Sequence, residues 1–126
     1  MKTVITSNEA PAPIGPYSQA IIAGDFVFLS GQVAIIPATG ELATGDIKTE
    51  TKQVMENIKA ILIAAGVDFS HIIKTTIFLM DMQNFTHVNE VYGTYFKGDF
   101  PARETVQVAG LPKGANVEIS VTAIKP

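Results

Sequence analysis

The closing stretch of the chain, FPARETVQVAGLPKGANVEISVTAI at residues 100–124, carries the clearest structural pattern in the sequence. Two segments in it alternate apolar and polar residues, which is typical of β-strands with one buried face. Pro112 and Gly114 lie between the segments and indicate a tight turn. We therefore predict an antiparallel hairpin with Gln107 opposite Glu118, because a slip by one residue would bury polar side chains.

One polar face of this predicted hairpin is the best candidate site in the sequence. Strand alternation places Arg103 and Thr105 on one face. The predicted register puts Thr105 opposite Ser120 and adds Glu118 to the same face. Arg103 and Glu118 would lie roughly 10 Å apart, from a rise of about 3.4 Å per residue, so both side chains can lean towards one small molecule. The same residues also fit a solvent-exposed face with an ordinary Arg–Glu pair, and the pattern alone leaves both interpretations open.

The residue types around this face indicate a particular chemistry. Arginine offers a planar fork of donors that suits a carboxylate. A glutamate in a partly dry pocket has a raised pKa and passes protons to and from water. Further candidates are the hydroxyls of Tyr17, Ser30 and Thr105. Gly31 marks either a close approach to a ligand or a packing position. Together they predict a small organic acid that gains or loses water without a cofactor or a covalent intermediate.

Length, composition and charge narrow the class of protein. The chain has 126 residues, 47% of them hydrophobic and 17% charged, which predicts a single domain spanning residues 1–126. The net charge is −3 without a basic run, which argues against a nucleic-acid partner. There is no cysteine, and His71 and His87 lack the spacing of a metal site, so we expect no metal. With no signal-like N-terminus and no apolar run near the roughly 20 residues of a membrane span, we expect a cytoplasmic protein.

Apolar periodicity predicts the order β-β-β-α-β-α-β-β for the whole chain. Loops rich in glycine and proline are expected at 8–16 and 37–45. Asp46 is predicted to cap the first helix and Gly66 to end it. The other predicted elements are strands at 4–6, 17–23, 26–33 and 71–80, helices at 47–65 and 81–97, and the two hairpin strands. This order predicts an α+β fold with both helices on one face of the sheet, and the uncovered face favours self-association.

Several motifs along the chain together resemble the Rid family, the reactive intermediate deaminases that are also called YjgF. They are GPYSQA at 15–20, SGQ at 30–32, VNEVY at 88–92, PAR at 101–103, LPK at 111–113 and VEI at 117–119. The resemblance runs nearly from end to end. It implies a chorismate-mutase-like α+β fold with a mixed sheet and two helices on one face. It also implies a homotrimer in which the sheets meet inside and three clefts open between subunits.

The resemblance also implies an activity and assigns roles within it. It implies hydrolysis of 2-iminobutanoate and 2-iminopropanoate to 2-oxo acids and ammonia, without a cofactor. These imines arise from enamines that pyridoxal-phosphate dehydratases release from serine and threonine. Arg103 is implied to hold the substrate carboxylate, and Glu118 to position the attacking water and shuttle protons. Tyr17 is implied to reach the cleft from the adjacent subunit, and the backbone of Ser30 and Gly31 to line it.

The remaining matches and departures concern the second helix and the strand after Arg103. Asn89 matches a family asparagine of the cleft. The pair Glu104-Thr105 stands where many members have Ser-Cys or a similar small pair. The backbone carbonyl of Thr105 is still expected to contact substrate, whereas Glu104 points to the other face. Gly110 stands where many members have arginine. Both departures bear on substrate preference and rate more than on the fold.

Two other functions stay open on this evidence. The first is a regulatory or chaperone-like trimer that binds small metabolites without turning them over, which is the expected outcome if Glu104 weakens catalysis. The second is an endoribonuclease, which the acidic balance of the chain disfavours.

Overall fold

The computed structural model describes residues 1–43 and 45–126, so Thr44 of the predicted 37–45 loop lies outside the described residues. Six strands form one sheet, and two α-helices cross it. In chain order the elements are β1 (Lys2–Ile5), β2 (Ala20–Ala23), β3 (Phe26–Leu29), α1 (Ile47–Ala64), β4 (Ile72–Leu79), α2 (Phe85–Gly93), β5 (Ala102–Gln107) and β6 (Val117–Ile124). The predicted element order and the α+β fold class are confirmed.

Helix α1 begins and ends where the sequence predicts. The Asp46 side chain accepts a hydrogen bond of 2.8 Å from the Thr49 backbone N–H, which satisfies one of the free donors of the first turn. Gly66 follows the helix with φ of 81°, a left-handed conformation that glycine adopts without steric cost. In the described part of the chain, no helix combines the length and the apolar character needed to cross a membrane.

Both helices pack on the same face of the sheet. Alternate residues of β3, β4 and β6 point towards them and are fully or almost fully buried, as period-2 strands require. This face joins the apolar stripe of α1 and two residues of α2 in one cluster. Its main members are Val27, Leu29, Val54, Met55, Ile58, Ile61, Leu62, Ile77, Leu79, Val88, Tyr92, Val117, Ile119, Val121 and Ala123.

The predicted closing hairpin is wrong. The sheet order is β1-β2-β3-β6-β4-β5, so β4 lies between the two strands that the sequence pattern suggested would pair. β5 pairs in parallel with β4, with Arg103 beside Thr75, whereas β6 pairs antiparallel with β4, with Glu118 beside Phe78. Helix α2 supplies the crossover that a parallel β4–β5 pair needs. Residues 108–116 therefore lead from the edge strand past β4 to β6, and the short 3₁₀ turn Pro112–Gly114 lies within that connection.

Several predicted boundaries also differ from the structure, and the differences are largest in three elements. The strand expected from Tyr17 begins at Ala20, because the segment before it belongs to the proline-rich loop. The strand expected to reach Val33 ends at Leu29, and beyond it only Gln32 bridges to β6. The helix expected at 81–97 is shorter, because a 3₁₀ turn at Met82–Asn84 precedes α2.

The face of the sheet opposite the helices is open and partly apolar. Five of its apolar side chains are between 41% and 55% exposed: Val4, Phe26, Phe28, Val106 and Ile124. The rings of Phe26 and Phe28 lie 6.1 Å apart. Polar residues interrupt this surface along β6, where Glu118 and alternate residues after it point outwards. We call this surface the open face.

The position of β4 at the centre of the core leads to a stability prediction. Ile77 is fully buried between β5 and β6, so Ile77→Ala should lower the free energy of unfolding by about 2–5 kcal/mol through lost burial and a residual cavity. The matched control is Ile63→Ala, because Ile63 lies on the outer side of α1 and is 64% exposed. This variant should change the free energy of unfolding by less than about 0.5 kcal/mol. Urea denaturation of both variants at one protein concentration measures the difference. Equal losses in the two variants would contradict the described core.

Candidate functional site

A cleft of about 320 Å³ opens beside Glu118. It collects four of the predicted site residues from one chain, Tyr17, Ser30, Gly31 and Glu118, and we call this set the glutamate half-site. Apolar side chains form most of the remaining wall. They come from the proline-rich loop, from the segment after β3 and from the 3₁₀ turn before β6, and they are Pro11, Ala12, Ile14, Val33, Ile35 and Pro112.

Gly31 packs closely against the side-chain carboxyl group of Glu118. A Cβ atom added to Gly31 would lie 2.7 Å from Glu118 Oε2, which is closer than real Cβ atoms approach. The glycine therefore lets the carboxyl group lie against the backbone of the segment that follows β3. Gln32 fixes this segment by exchanging two backbone hydrogen bonds with Ile119, of 2.8 and 3.1 Å. The structure shows Gly31 as a packing position, and the packed group is the candidate catalytic carboxyl. Gly31 also lines the cleft, and its close approach to a ligand stays a prediction.

The environment of Glu118 affects its ionisation. Burial raises the pKa of the Glu118 carboxyl above its ordinary value, because removal from water disfavours the charged form. Among the described residues that line the cleft, Tyr17 is the only other ionisable one. A carboxyl with a raised pKa gives and takes protons closer to neutral pH than an exposed one does.

A buried glutamine holds the proline-rich loop over the cleft. Gln19 is 3% exposed, and its amide oxygen accepts a 2.6 Å hydrogen bond from the Ser7 backbone N–H. Its amide nitrogen donates to the backbone carbonyls of Ser7, at 3.1 Å, and Pro11, at 2.8 Å. Sequence analysis missed Gln19. The available signal was a glutamine beside a proline-rich segment whose carbonyl groups lack helix or sheet partners.

Tyr17 and Ser30 both contact this loop region. The Tyr17 hydroxyl accepts a 3.2 Å bond from the Ile14 backbone N–H and remains able to donate. The Ser30 hydroxyl donates a 2.6 Å bond to the Ser18 carbonyl. Ser30 therefore fastens the loop to the end of β3, and it also lines the cleft.

Arg103 lies on the other face of the sheet. Its register partner Thr75 is fully buried on the helix side, and the Arg103 guanidinium stacks on two rings of α2. Its Cζ atom lies 5.6 Å from the ring centroid of Phe85 and 5.1 Å from that of Tyr92. The Tyr92 hydroxyl donates a 2.9 Å bond to Thr75 Oγ1, which fixes the ring. No carboxylate of the described residues pairs with Arg103.

Asn89 and Thr105 belong with Arg103. Asn89 follows Phe85 by four residues and precedes Tyr92 by three, so it lies on the same face of α2 as the two stacking rings. Thr105 lies two residues after Arg103 on β5, and its buried hydroxyl oxygen has no hydrogen-bond partner among the described residues. We call Asn89, Arg103 and Thr105 the arginine half-site.

The prediction that Arg103 and Glu118 share a polar face is therefore wrong for one chain. Alternation along each strand is as predicted, but the parallel pairing of β5 with β4 places Arg103 on the helix side, and Glu118 lies on the open face. Glu104 shares the open face with Glu118. The Thr76 hydroxyl donates to Glu104 at 2.7 Å and Lys74 lies 3.2 Å from it, and these two contacts lower the pKa of Glu104.

The described side chains offer no ready metal site. Among residues 1–43 and 45–126, no three His, Asp or Glu side chains gather closely enough to hold a metal ion. What the two half-sites do offer is one unpaired guanidinium, one carboxyl with a raised pKa, and hydroxyl and amide groups beside each.

The contact between Gly31 and Glu118 can be tested directly. Gly31→Ala should push the carboxyl of Glu118 towards solvent, so the pKa of Glu118 should fall towards its ordinary value. The control is Gly93→Ala, because a Cβ atom there would meet nothing within 4 Å. Carbon-13 NMR titration of the Glu118 carboxyl measures the shift. A Glu118 titration that is the same in wild type and Gly31→Ala would show that the packing does not control its ionisation.

Comparison with known proteins adds independent findings. The family model described as Endoribonuclease L-PSP matches residues 7–125. A RutC family protein of Pyrococcus horikoshii is 54% identical over 125 residues, covering 99% of each chain. The human protein named 2-iminobutanoate/2-iminopropanoate deaminase is 46% identical over 125 residues, covering 99% of this chain and 91% of the human one.

A solved structure agrees in fold over nearly the whole chain. The Rid family protein YyfA of Yersinia pestis superimposes with a TM-score of 0.96 at 50% identity, covering 98% of this chain and 99% of that one. With a family model that spans residues 7–125 and relatives aligned from end to end, the chain belongs to the Rid family, also called YjgF.

Proposed function

We propose that the protein is a cytoplasmic 2-iminobutanoate/2-iminopropanoate deaminase that needs no cofactor and works as a homotrimer. One observation carries the proposal. The unpaired Arg103 and the partly buried Glu118 lie on opposite faces of one sheet, so one chain does not bring them together around a small molecule. A second copy of the chain must supply one half of each site.

The open face supports this assembly. Its exposed apolar side chains, among them Phe26, Phe28 and Val106, are of the kind that subunit interfaces cover. Edge strand β5 carries Arg103 and Thr105 of the arginine half-site and is free on one side. In a closed ring of three copies, the edge of one chain reaches the glutamate half-site of the next. Each of three equivalent clefts then contains Arg103, Asn89 and Thr105 from one chain and Tyr17 and Glu118 from its neighbour.

Substrate binding follows from the chemistry of the arginine half-site. The guanidinium of Arg103 lies over the rings of Phe85 and Tyr92 and pairs with no carboxylate of the described residues, so its N–H donors are available for the substrate carboxylate. A bidentate pair fixes both the position and the plane of the imino acid. Asn89 and the Thr105 backbone carbonyl add polar contacts beside it. Burial raises the pKa of Tyr92, so the ring under the guanidinium remains a neutral phenol.

Catalysis then needs a positioned water and a place for its proton. The Glu118 carboxylate accepts a hydrogen bond from a water that adds through oxygen to the C=N carbon, and it takes the water's proton as the C–O bond forms. The imine reacts in its N-protonated form, so the C=N electron pair moves to nitrogen and makes it a neutral amine. The proton that the imine takes from solvent beforehand is balanced by the hydroxyl proton that returns to solvent at the end. In the tetrahedral adduct, Glu118 returns its proton to the nitrogen, ammonia leaves, and loss of the hydroxyl proton gives the 2-oxo acid. Positioning and electrostatics supply the rate enhancement.

Two alternatives make different predictions for the same site. A regulatory binding protein would hold 2-oxo acids in the cleft without accelerating imine hydrolysis. An endoribonuclease, in line with the description of the family model, would cleave RNA, and the cleavage would survive both Arg103→Ala and rigorous purification. The net charge of −3 counts against RNA binding. The cleft of the glutamate half-site has no Lys or Arg among the described residues that line it.

A coupled assay tests the activity. A serine or threonine dehydratase generates the imino acid, and the appearance of 2-oxo acid is followed with wild type, Arg103→Ala and Glu118→Gln. Wild type should accelerate the reaction. Arg103→Ala should mainly raise KM, and Glu118→Gln should mainly lower kcat, by about 10²-fold or more, since it loses proton transfer. No acceleration by correctly folded wild type, with 2-oxo acid binding retained, would favour the regulatory protein.

Mixing the two inactive variants tests whether each site is shared between chains. Unfolded Arg103→Ala and Glu118→Gln chains are combined, refolded and assayed. In random trimers, only a cleft with an intact Arg103 from one chain and an intact Glu118 from its neighbour is active, so roughly one quarter of wild-type activity should return. Each variant refolded alone is the control. No recovery from well-formed mixed trimers would place both residues of a site in one chain.

A further inference from the structure

Two of the buried polar side chains of helix α1 bond to chain segments outside the helix, and the proposed mechanism does not use them. The first is Glu50, in the first turn, which is 4% exposed. Its Oε2 accepts a 2.7 Å hydrogen bond from the backbone N–H of Asn116, and its Oε1 accepts a 2.9 Å bond from Asn116 Nδ2. Asn116 lies two residues before Glu118 and just before β6 begins. Glu50 therefore holds the backbone immediately before the candidate catalytic residue, Glu118, by two hydrogen bonds to Asn116.

The second is Asn57, which is 1% exposed. Its Nδ2 donates to the backbone carbonyls of Val33, at 3.1 Å, and Ile35, at 2.9 Å. Gln53, one turn earlier, donates to Asn57 Oδ1 at 2.9 Å, which orients the amide. Val33 and Ile35 line the Glu118 cleft, so Asn57 hydrogen-bonds to a second segment of the wall of this cleft.

The hydrogen bonds of Glu50 and Asn57 hold two segments that are in contact with each other beside the cleft. Glu50 and Asn57 are seven residues apart on α1, which is about two helical turns or 10 Å, so they point in nearly the same direction. The segments they hold meet each other, because Val33, Ile35 and Ala115 form one small buried cluster. A rigid helix thus fixes, from the far side of the core, two segments that border the cleft.

We infer that Glu50 and Asn57 are positioning residues that set the shape of the glutamate half-site and the placement of Glu118 through the backbone of its walls. The expected changes in kcat rest on the proposed function, whereas the expected changes in the Glu118 titration do not. Apolar side chains at these two positions would pack α1 against the sheet without the cost of burying polar groups. What the polar groups add is a fixed distance and direction to named backbone atoms of the cleft.

The first test compares Glu50→Ala with Glu50→Gln. Alanine leaves the Asn116 N–H without its acceptor, so the segment before β6 should loosen and admit water to Glu118. The pKa of Glu118, followed by carbon-13 NMR titration, should fall towards its ordinary value, and kcat should drop between about tenfold and a hundredfold with little change in KM. Glutamine keeps an acceptor for the N–H and should recover most of both properties. Ile61→Val, buried further along α1, is the control for stability loss alone.

Asn57→Leu is the second test, because leucine resembles asparagine in shape but donates no hydrogen bond. It should move the Glu118 titration and kcat in the same direction as Glu50→Ala. If both variants leave the Glu118 titration unchanged, or shift it no more than Ile61→Val does, the positioning role is overturned. Because the titration is read without substrate, it decides this point even if wild type shows no imine hydrolysis, which would instead overturn the proposed function.

Discussion

The position of β4 between β5 and β6 determines the rest of the site. Side chains alternate across a sheet, so the parallel pairing that puts Arg103 beside Thr75 also commits Arg103 to the helix side. The antiparallel pairing of β6 with the same strand commits Glu118 to the open face. Two hydrogen-bond registers thus place the two candidate site residues, Arg103 and Glu118, on opposite faces of the sheet. A site that uses both must be completed by a second copy.

Within one chain, neighbouring residues hold the side chain of each half-site in position. Arg103 is kept in place by two aromatic rings of α2, and the Tyr92 ring is held by a bond to Thr75 on the central strand. Glu118 is kept in place by close packing on Gly31. In the proposed assembly neither group would have to find its conformation on association, and a preorganised charge lowers the cost of binding and of the transition state.

Local sequence patterns predicted the helices and strands correctly, but the strand pairing that they suggested for β5 and β6 was wrong. Asp46, Gly66 and the apolar stripe of α1 define the helix because each acts through neighbours within a few residues. The partner of β5 depends on where α2 places the chain after β4, and strand alternation carries no such information. The motif resemblance singled out Tyr17, Ser30, Gly31 and Glu118 but did not indicate that one chain brings all four to a single cleft, which the structure shows. Reasoning from strand patterns alone could not find Gln19 or Glu50, whose roles depend on distant backbone groups.

The pairing also settles where the unusual Glu104 acts. A negative charge next to Arg103 in sequence suggests weaker carboxylate binding, but the alternation of β5 puts the Glu104 side chain on the open face. There it accepts a hydrogen bond from Thr76 and pairs with Lys74, so its charge is locally balanced on the far side of the sheet from Arg103. The open face is also the surface that the proposed trimer would cover. In that assembly the Glu104–Lys74 pair would bear on subunit contacts before it bears on the substrate.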